Sequence, residues 1–322
     1  MPNRADVAKL AGVSTATVSN VFNENKYVSP ELRERVLFAA KQLSYFPVTR
    51  EKNELKKIAL VVDDVSNPHY GAIFRGMEEV ASKNGVTVSM MIPWEGIDHF
   101  CKMLIENKMD GAFFTMYNQQ LDEKRLAMYE RAGLKIIYSW NNLDMNFDAA
   151  YMKAVQYLRD LGHRRIAYLS GLSVSDPTNA RYIAFKRAME ANGLPLYPEL
   201  CMDGTYPYET TTQSGYRTMK GKLETGVDFT AVVCLNDLMA IGAMYAICEK
   251  GLRIPEDISV IGGDDIPMAE FLNPPLTTIR IPAAEIGRRA MYGFIQKMRG
   301  ETPQSVSIQM QLIVRQTTAA CK

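Results

Sequence analysis

From residue 58 to residue 263 the chain repeats one unit, a short apolar run followed by an amphipathic helix. The first series reads Ile58–Val62, helix Gly71–Asn84, Val86–Ile92, helix His99–Lys108, Gly111–Thr115, helix Lys124–Ala132 and Lys135–Ser139. A helix over Met152–Leu161, ended by Gly162, opens the second series. That series reads Arg165–Ser170, helix Tyr182–Asn192, Leu200–Asp203, helix Gly215–Leu223, Ala231–Leu235, helix Leu238–Lys250 and Ser259–Gly263. The β runs are apolar without alternation, which is the pattern of strands buried on both faces of a parallel sheet. Two such series predict an α/β core of two doubly wound parallel-sheet lobes.

In sheets of this kind a ligand sits beyond the carboxyl ends of the strands. Several polar and aromatic residues fall there. Asn67-Pro68-His69-Tyr70 follows the first strand, and Ser139-Trp140 ends another. Arg181 follows the loop after Arg165–Ser170, while Asn236-Asp237 and Asp264-Asp265 end two more strands. Each has a structural reading of its own: Asp237 as the cap of the next helix, Asp265 as the brace of a turn. Taken together, an arginine, carboxylates, an amide and aromatic rings suit a polyhydroxylated ligand held between the lobes. Bidentate bonds pin vicinal hydroxyls, and a ring covers the apolar face of a sugar. The chain has no nucleophile elbow, P-loop, glycine-rich dinucleotide fingerprint or His/Cys dyad, so neither catalysis nor a cofactor is expected.

A different pattern precedes this core. Residues 5–22 predict two short helices meeting at Gly12, which supplies a permissive backbone for the turn. Asp6 caps or charges the first turn of a helix whose apolar face is Val7, Ala8, Leu10 and Ala11, and Val13 plugs the angle. Ser14 is a good N-cap for the second helix, which buries Val18, Val21 and Phe22. Its other face shows Thr15, Ala16, Ser19 and Asn20, small and uncharged, as suits a helix pressed into the DNA major groove. A third helix opens with Ser29 as N-cap and Pro30 at its first position. It places Leu32, Val36, Ala39, Ala40 and Leu43 at helical spacing and closes a three-helix core.

Charge divides the chain at the same place. Residues 1–57 carry ten Lys/Arg and six Asp/Glu, and the remainder carries 27 and 30. The overall +1 therefore hides a basic head of +4 on a mildly acidic body, a modest footprint for phosphate contact. No apolar run reaches the roughly 18 residues of a membrane span. The N-terminus is polar, so no export signal is expected. The cysteines Cys101, Cys201, Cys234, Cys248 and Cys321 are scattered and form no CxxC, which fits reduced thiols in a cytoplasm. His69, His99 and His163 have no ligand spacing with them, so no metal is expected.

The chain resembles the LacI/GalR family of bacterial transcription regulators over nearly its full length. The resemblance rests on 6–19 (DVAKLAGVSTATVS), 28–36 (VSPELRERV), 161–167 (LGHRRIA), 236–243 (NDLMAIGA), 251–262 (GLRIPEDISVIG) and 274–279 (PPLTTI). It implies a DNA-binding headpiece, a hinge, and a two-lobed core like that of periplasmic sugar-binding proteins. It also implies a homodimer whose operator affinity is set by a small effector. By position it implies DNA contacts from Ser14, Thr15, Ala16, Thr17, Ser19 and Asn20. It implies effector contacts from His69, Tyr70, Trp140, Arg181, Asn236 and Asp264. Asn suits a bidentate adenine contact, and the methyls of Thr and Ala suit thymine.

The chain departs from the family pattern in places. Arg4 stands where an apolar residue usually opens the first helix, Asn146-Phe147 where Asp-Asn is usual, and Gly263 where Tyr is frequent. Only residues 48–57 separate Pro47 from the first core strand, and they are mostly charged. Within them Leu55 is the candidate minor-groove wedge of a shortened hinge, with weaker operator bending expected.

The reading is thus a headpiece at 1–47, a hinge at 48–57 and an effector-binding core at 58–322. Its first lobe spans about 58–145 plus about 279–308, and its second about 146–278 plus the C-terminal tail. The predicted function is a cytoplasmic, homodimeric transcriptional regulator binding double-stranded operator DNA. A repressor of a carbohydrate-utilisation operon comes first, and an activator or a nucleoside- or nucleobase-responsive member second. A solute-binding protein and an enzyme are the rivals from other classes; the headpiece speaks against the former. No heptad follows Thr317, so a zipper-built tetramer is not expected.

Overall fold

The computed structural model describes residues 3–23, 27–43, 45, 56–93, 95–115, 122–138, 143–176, 179–203, 209–303 and 305–322. The chain divides into two compact units, Met1–Leu55 and Lys56–Lys322.

In the first unit, α1 (Arg4–Ala11), α2 (Thr15–Asn23) and α3 (Pro30–Gln42) form three short helices. Asn3 and Asp6 make a reciprocal capping box at the start of α1. Gly12, at φ 64°, ends α1 in the left-handed region, where its N–H closes on the Ala8 and Lys9 carbonyls. Ser14 Oγ accepts from the Thr17 N–H at 3.0 Å, and Ser29 caps α3 with Pro30 at its first position. Val7, Ala8, Ala11, Val18, Val21, Val36, Ala39 and Ala40 are buried together, with Val13, Phe22 and Leu43 packed against them. Leu10, expected on this face, is half exposed: the buried stripe runs through 7, 8 and 11, and Leu10 points away from it.

The second unit opens with β1 (Lys56–Val61), α4 (Pro68–Ala81), β2 (Val86–Met91), α5 (Ile97–Glu106), β3 (Gly111–Phe114), α6 (Glu123–Arg131), β4 (Lys135–Tyr138) and β5 (Leu143–Met145). It continues with α7 (Phe147–Asp160), β6 (Ile166–Leu169), α8 (Ala180–Ala191), β7 (Cys201–Met202), α9 (Thr212–Glu224), β8 (Ala231–Cys234), α10 (Asp237–Glu249), β9 (Ser259–Asp264) and β10 (Thr277–Arg280). Then come α11 (Ala283–Met298), β11 (Val306–Ile308) and β12 (Gln311–Ile313). The first sheet has the order β2-β1-β3-β4, all parallel. The second has the order β12-β10-β9-β8-β6-β7, parallel except for the β10–β12 edge. Strands β3, β6, β8 and β9 are buried at every position, as their continuous apolar runs predict.

The chain passes between lobes more than once. After β10 it returns to the first lobe, where α11 packs on α4 and β11 pairs with β5. It then re-enters the second lobe as β12. The tail is tied there: Thr317 exchanges hydrogen bonds with the Val260 backbone, and His163 Nε2 lies 3.0 Å from the Ala319 carbonyl.

The expected boundaries shift in three places. Lys56 and Lys57, assigned to the hinge, belong to β1, where Asp110 accepts from Lys56 Nζ at 2.8 Å and from the Lys57 N–H at 2.9 Å. Ile279 and Arg280 stay in β10 of the second sheet, because Arg280 extends the pairing to Asp264 and binds Asp265. Helix α7 starts at Phe147, not Met152, with Asn146 as its cap.

Candidate nucleic-acid interface and effector cleft

Helix α2 carries the expected reading residues on one side. Thr15 and Ala16 are exposed in its first turn, and Thr17, Ser19 and Asn20 are half-buried. Ser14 Oγ and Thr17 Oγ1 lie 2.9 Å apart, so these hydroxyls order each other at the start of the helix. Ser19 Oγ accepts from Arg4 Nη1 at 2.9 Å. Behind the turn, Arg35 Nη2 donates to the Ala11 carbonyl at 2.7 Å and ties α3 to the α1–α2 corner. Leu55 lies outside the described residues.

In the core, the carboxyl ends of the two sheets bring five side chains together. Asn67 caps α4 with Pro68 behind it, which places His69 and Tyr70 in the first turn of that helix. Arg181 stands in the first turn of α8, just after the loop from β6. Its Nη2 donates to Asp264 Oδ1 at 3.0 Å, its Nη1 donates to the Leu235 carbonyl, and its guanidinium lies 5.5 Å from the Phe147 ring centre. From the other lobe, His69 Nδ1 approaches the same Asp264 oxygen at 3.8 Å. Asp63, just past β1, accepts from the Tyr70 hydroxyl, and its Oδ1 is buried with no partner among the described residues.

The electrostatics follow from burial. Desolvation lowers the His69 pKa against the pull of Asp264, so its imidazole is neutral near pH 7. Desolvation raises the Asp63 carboxyl, opposed by its bond from Tyr70, and raises the Tyr70 phenol well above the ordinary value. Burial alone would depress the Arg181 guanidinium, but Asp264 beside it, together with Tyr151 and Tyr168, offsets this and the pKa rises. Asp237 is buried between α10 and β9 and is pushed up to about 8, by desolvation first and the nearby Asp264 second.

Asp264 itself is held in an unusual backbone. Its φ is 103° and that of Asp265 is 57°, both in the region that side-chain-bearing residues avoid. Three contacts hold this corner. Asp265 accepts from Arg280 Nε at 2.6 Å and from Arg315 Nη2 at 2.7 Å, and Asp237 accepts from the Ile266 N–H at 2.8 Å. Asp265 thus braces the turn, as expected. Asp237 is not the cap of α10; Asn236 is, its Oδ1 taking the Met239 N–H at 2.9 Å.

Asn236, expected at the effector, is buried at this end of the second sheet with its side chain bonded on both sides. Its amide donates to the Thr210 carbonyl at 3.0 Å, so both ends of the side chain are engaged within the second lobe. Trp140 lies outside the described residues. Asp63 and Phe147 were not among the expected site residues, and Asp237 was named only as a strand-end residue with a capping alternative. Asp63 follows a strand end and obeys the same rule as His69, so the rule could have found it. Phe147 was visible only as a departure from pattern. Gly263 is explained as well: a Cβ there would lie 2.7 Å from the Leu235 carbonyl and 3.4 Å from the Arg181 guanidinium. Beside the cluster a cleft of 280 Å³ opens, with His69, Asp264, Ile266, Pro267, Ile281 and Ala283 among its lining residues.

Comparison with known proteins matches both units. The profile "Bacterial regulatory proteins, lacI family" covers residues 5–48, and the "Periplasmic binding protein-like domain" profile covers 155–318. The HTH-type transcriptional repressor PurR of Pasteurella multocida (strain Pm70) is 33% identical across 97% of both chains. That of Histophilus somni (strain 129Pt) is 34% identical, again across 97% of both. The chain belongs to the lacI family.

Two solved structures place this lacI-family chain further. The lac repressor dimer bound to operator and the anti-inducer ONPF matches with a TM-score of 0.76 and 26% identity, over 99% of both chains. The regulator CelR in complex with cellobiose matches with a TM-score of 0.70 and 28% identity, over 98% of this chain and all of that one. The protein is a DNA-binding transcriptional repressor and not an enzyme. Among the described residues, no helix is long and apolar enough to cross a membrane.

Proposed function

We propose that this repressor is a homodimer whose operator affinity is set by a small, neutral, polyhydroxylated effector bound between the core lobes, and that it controls a carbohydrate-utilisation operon. The observation that carries this reading is the meeting of His69 from the first lobe with the Arg181–Asp264 pair of the second. A ligand inserted there bonds to both lobes at once, so its binding energy is coupled to how they sit. Arg181 and Asp264 offer donors and acceptors to vicinal hydroxyls, and Phe147 offers an apolar ring. The cleft of 280 Å³ beside this cluster, lined by His69 and Asp264, lies just under the usual range of ligand sites, which suits a ligand no larger than a monosaccharide. The family member CelR is described in complex with cellobiose, which supports a saccharide. At the DNA end, we assign Ser14, Thr15, Ala16, Thr17, Ser19 and Asn20 to the operator contact, with Leu55 as the wedge of a shortened hinge.

A nucleobase is the second reading. It is favoured by the neutral His69, a ring that can hydrogen-bond to a heterocycle, and by the Phe147 ring beside Arg181, an apolar face for one.

The test is a melting-temperature screen of the full chain against neutral sugars, sugar phosphates and nucleobases, followed by operator binding with each hit. At 100 times its dissociation constant an effector stabilises by about 2.7 kcal/mol. We expect a neutral saccharide to raise the melting temperature of the wild type, to change operator affinity, and to do neither in Arg181→Ala or Asp264→Asn. A shift from nucleobases alone replaces the first reading with the second. A hit that binds both variants at full affinity removes the site.

A further inference from the structure

Helix α2 contains no charged residue, yet a guanidinium lies against it. Arg4 opens α1, and its Nη1 donates to Ser19 Oγ at 2.9 Å. Ser19 lies one turn along α2 from Thr15 and Ala16 and adjoins Asn20 in sequence. Arg4 is exposed, and among the described residues no carboxylate pairs with it. Asp6, an acid of the same helix, is spent on the capping box, accepting from the Asn3 N–H at 2.8 Å.

A guanidinium has five N–H donors in a fixed planar fork. The bond to Ser19 uses one and sets the direction of the rest. An exposed arginine–hydroxyl bond contributes little to stability and costs side-chain rotamer freedom. The arrangement is better accounted for by a third participant that supplies acceptors. Two acceptor sets of a duplex match the fork, the O6/N7 edge of guanine and the phosphate oxygens.

We propose that Arg4 is a DNA-contacting residue, a guanidinium steered by Ser19 onto acceptors of the operator at the edge of the α2 footprint. The proposal rests on α2 docking in the major groove. It adds to that helix the positive charge its own sequence lacks.

The experiment is selection of binding sites from random duplexes, with affinity measured against salt, for the full-length wild type and for Arg4→Ala, Arg4→Gln, Ser19→Ala and Asn20→Ala. Arg4→Gln retains a donor for Ser19 but not the charge, which separates bracing of the helix from contact with DNA. If the fork meets guanine, both Arg4 variants lose the preference for one G·C pair per half-site, with about tenfold weaker binding to the wild-type sequence. If it meets phosphate, both bind all sequences more weakly, and the salt slope falls by about one per half-site. Ser19→Ala weakens the same signal without abolishing it. Arg4 variants with unchanged affinity, preference and salt slope overturn the proposal. So does an Arg4→Ala defect that Arg4→Gln fully restores. The Asn20→Ala arm reports separately on the docking of α2, because it changes the preferred base at its own position whether or not Arg4 touches DNA.

Discussion

Asp237 is a buried acid that the proposed effector site does not consume. Its oxygens accept from the Thr278 hydroxyl and the Ile266 N–H, clamping the strand end that carries Asp264. Unfolded, its carboxyl titrates near 3.8; folded, near 8. Between those values the unfolded chain has released a proton that the folded chain keeps. Stability from this group is therefore fully present below about pH 4 and is lost as pH rises toward 8. Asp237→Asn mimics the neutral acid: its carbonyl takes the Ile266 N–H and its amide faces the Thr278 oxygen. We expect the melting-temperature difference between Asp237→Asn and wild type to move steadily in favour of the variant from pH 5 to pH 8. The change should amount to a few kcal/mol, on the order of 1.4 per pH unit. A difference that is flat across the range shows that Asp237 is already ionised in the fold. This residue also marks the limit of sequence reading at the site. His69, Arg181 and Asp264 were legible because strand ends announce themselves. The duties of Asn236 and Asp237 were not, because only the packing of α10 against β9 decides which of two neighbouring polar residues caps and which clamps.

Element by element, the strands inside the repeating strand–helix series were read and those outside it, β5, β10, β11 and β12, were not. Continuous apolar runs and helical spacing located every strand from β1 to β4 and from β6 to β9. Strands β5, β11 and β12 have three residues each and, unlike the still shorter β7, no place in the strand–helix alternation to mark them. The pairing of β5 with β11 joins residues more than 160 positions apart, as with Leu143 and Val306, and β12 pairs back onto β10. The helix pair α4 and α11 meets through glycine on both sides. A Cβ on Gly76 would lie 1.9 Å from the Ala284 carbonyl, and one on Gly287 would lie 2.0 Å from the Ile73 carbonyl. The α9–α10 pair repeats the arrangement, with Gly242 pressed against the Thr212 carbonyl and Gly215 against Met239. Neither backbone can retreat without uncovering the apolar side of its sheet. We expect Gly287→Ala to destabilise the core by about 2–4 kcal/mol in denaturant unfolding. Gly221→Ala, where a Cβ meets nothing within 4 Å, should cost nothing or stabilise slightly. Equal effects at the two positions would mean that the close crossing of α4 and α11 is not the constraint.

At the scale of the molecule, the two lobes are not consecutive stretches of chain. The first needs α11 and β11 from beyond residue 280, and the second needs β12 and the tail held by Thr317 and His163. A chain ending at Pro282 lacks the cover of α4 and the partner of β5. We expect it to show no cooperative unfolding of the core by circular dichroism, while Met1–Leu55, a separate compact unit, still melts as a helical headpiece. A cooperative core transition in that fragment would show that the late segments decorate a lobe already stable. The interleaving also sets a timetable. A ribosome adds about 5–20 residues per second, so the apolar side of α4 waits roughly 10–40 s for α11 to emerge and cover it. The three-helix head is complete long before. During synthesis the three-helix part that grips the operator is finished first, and the two-lobed core behind it, whose lobes need the last forty residues of the chain, is finished last.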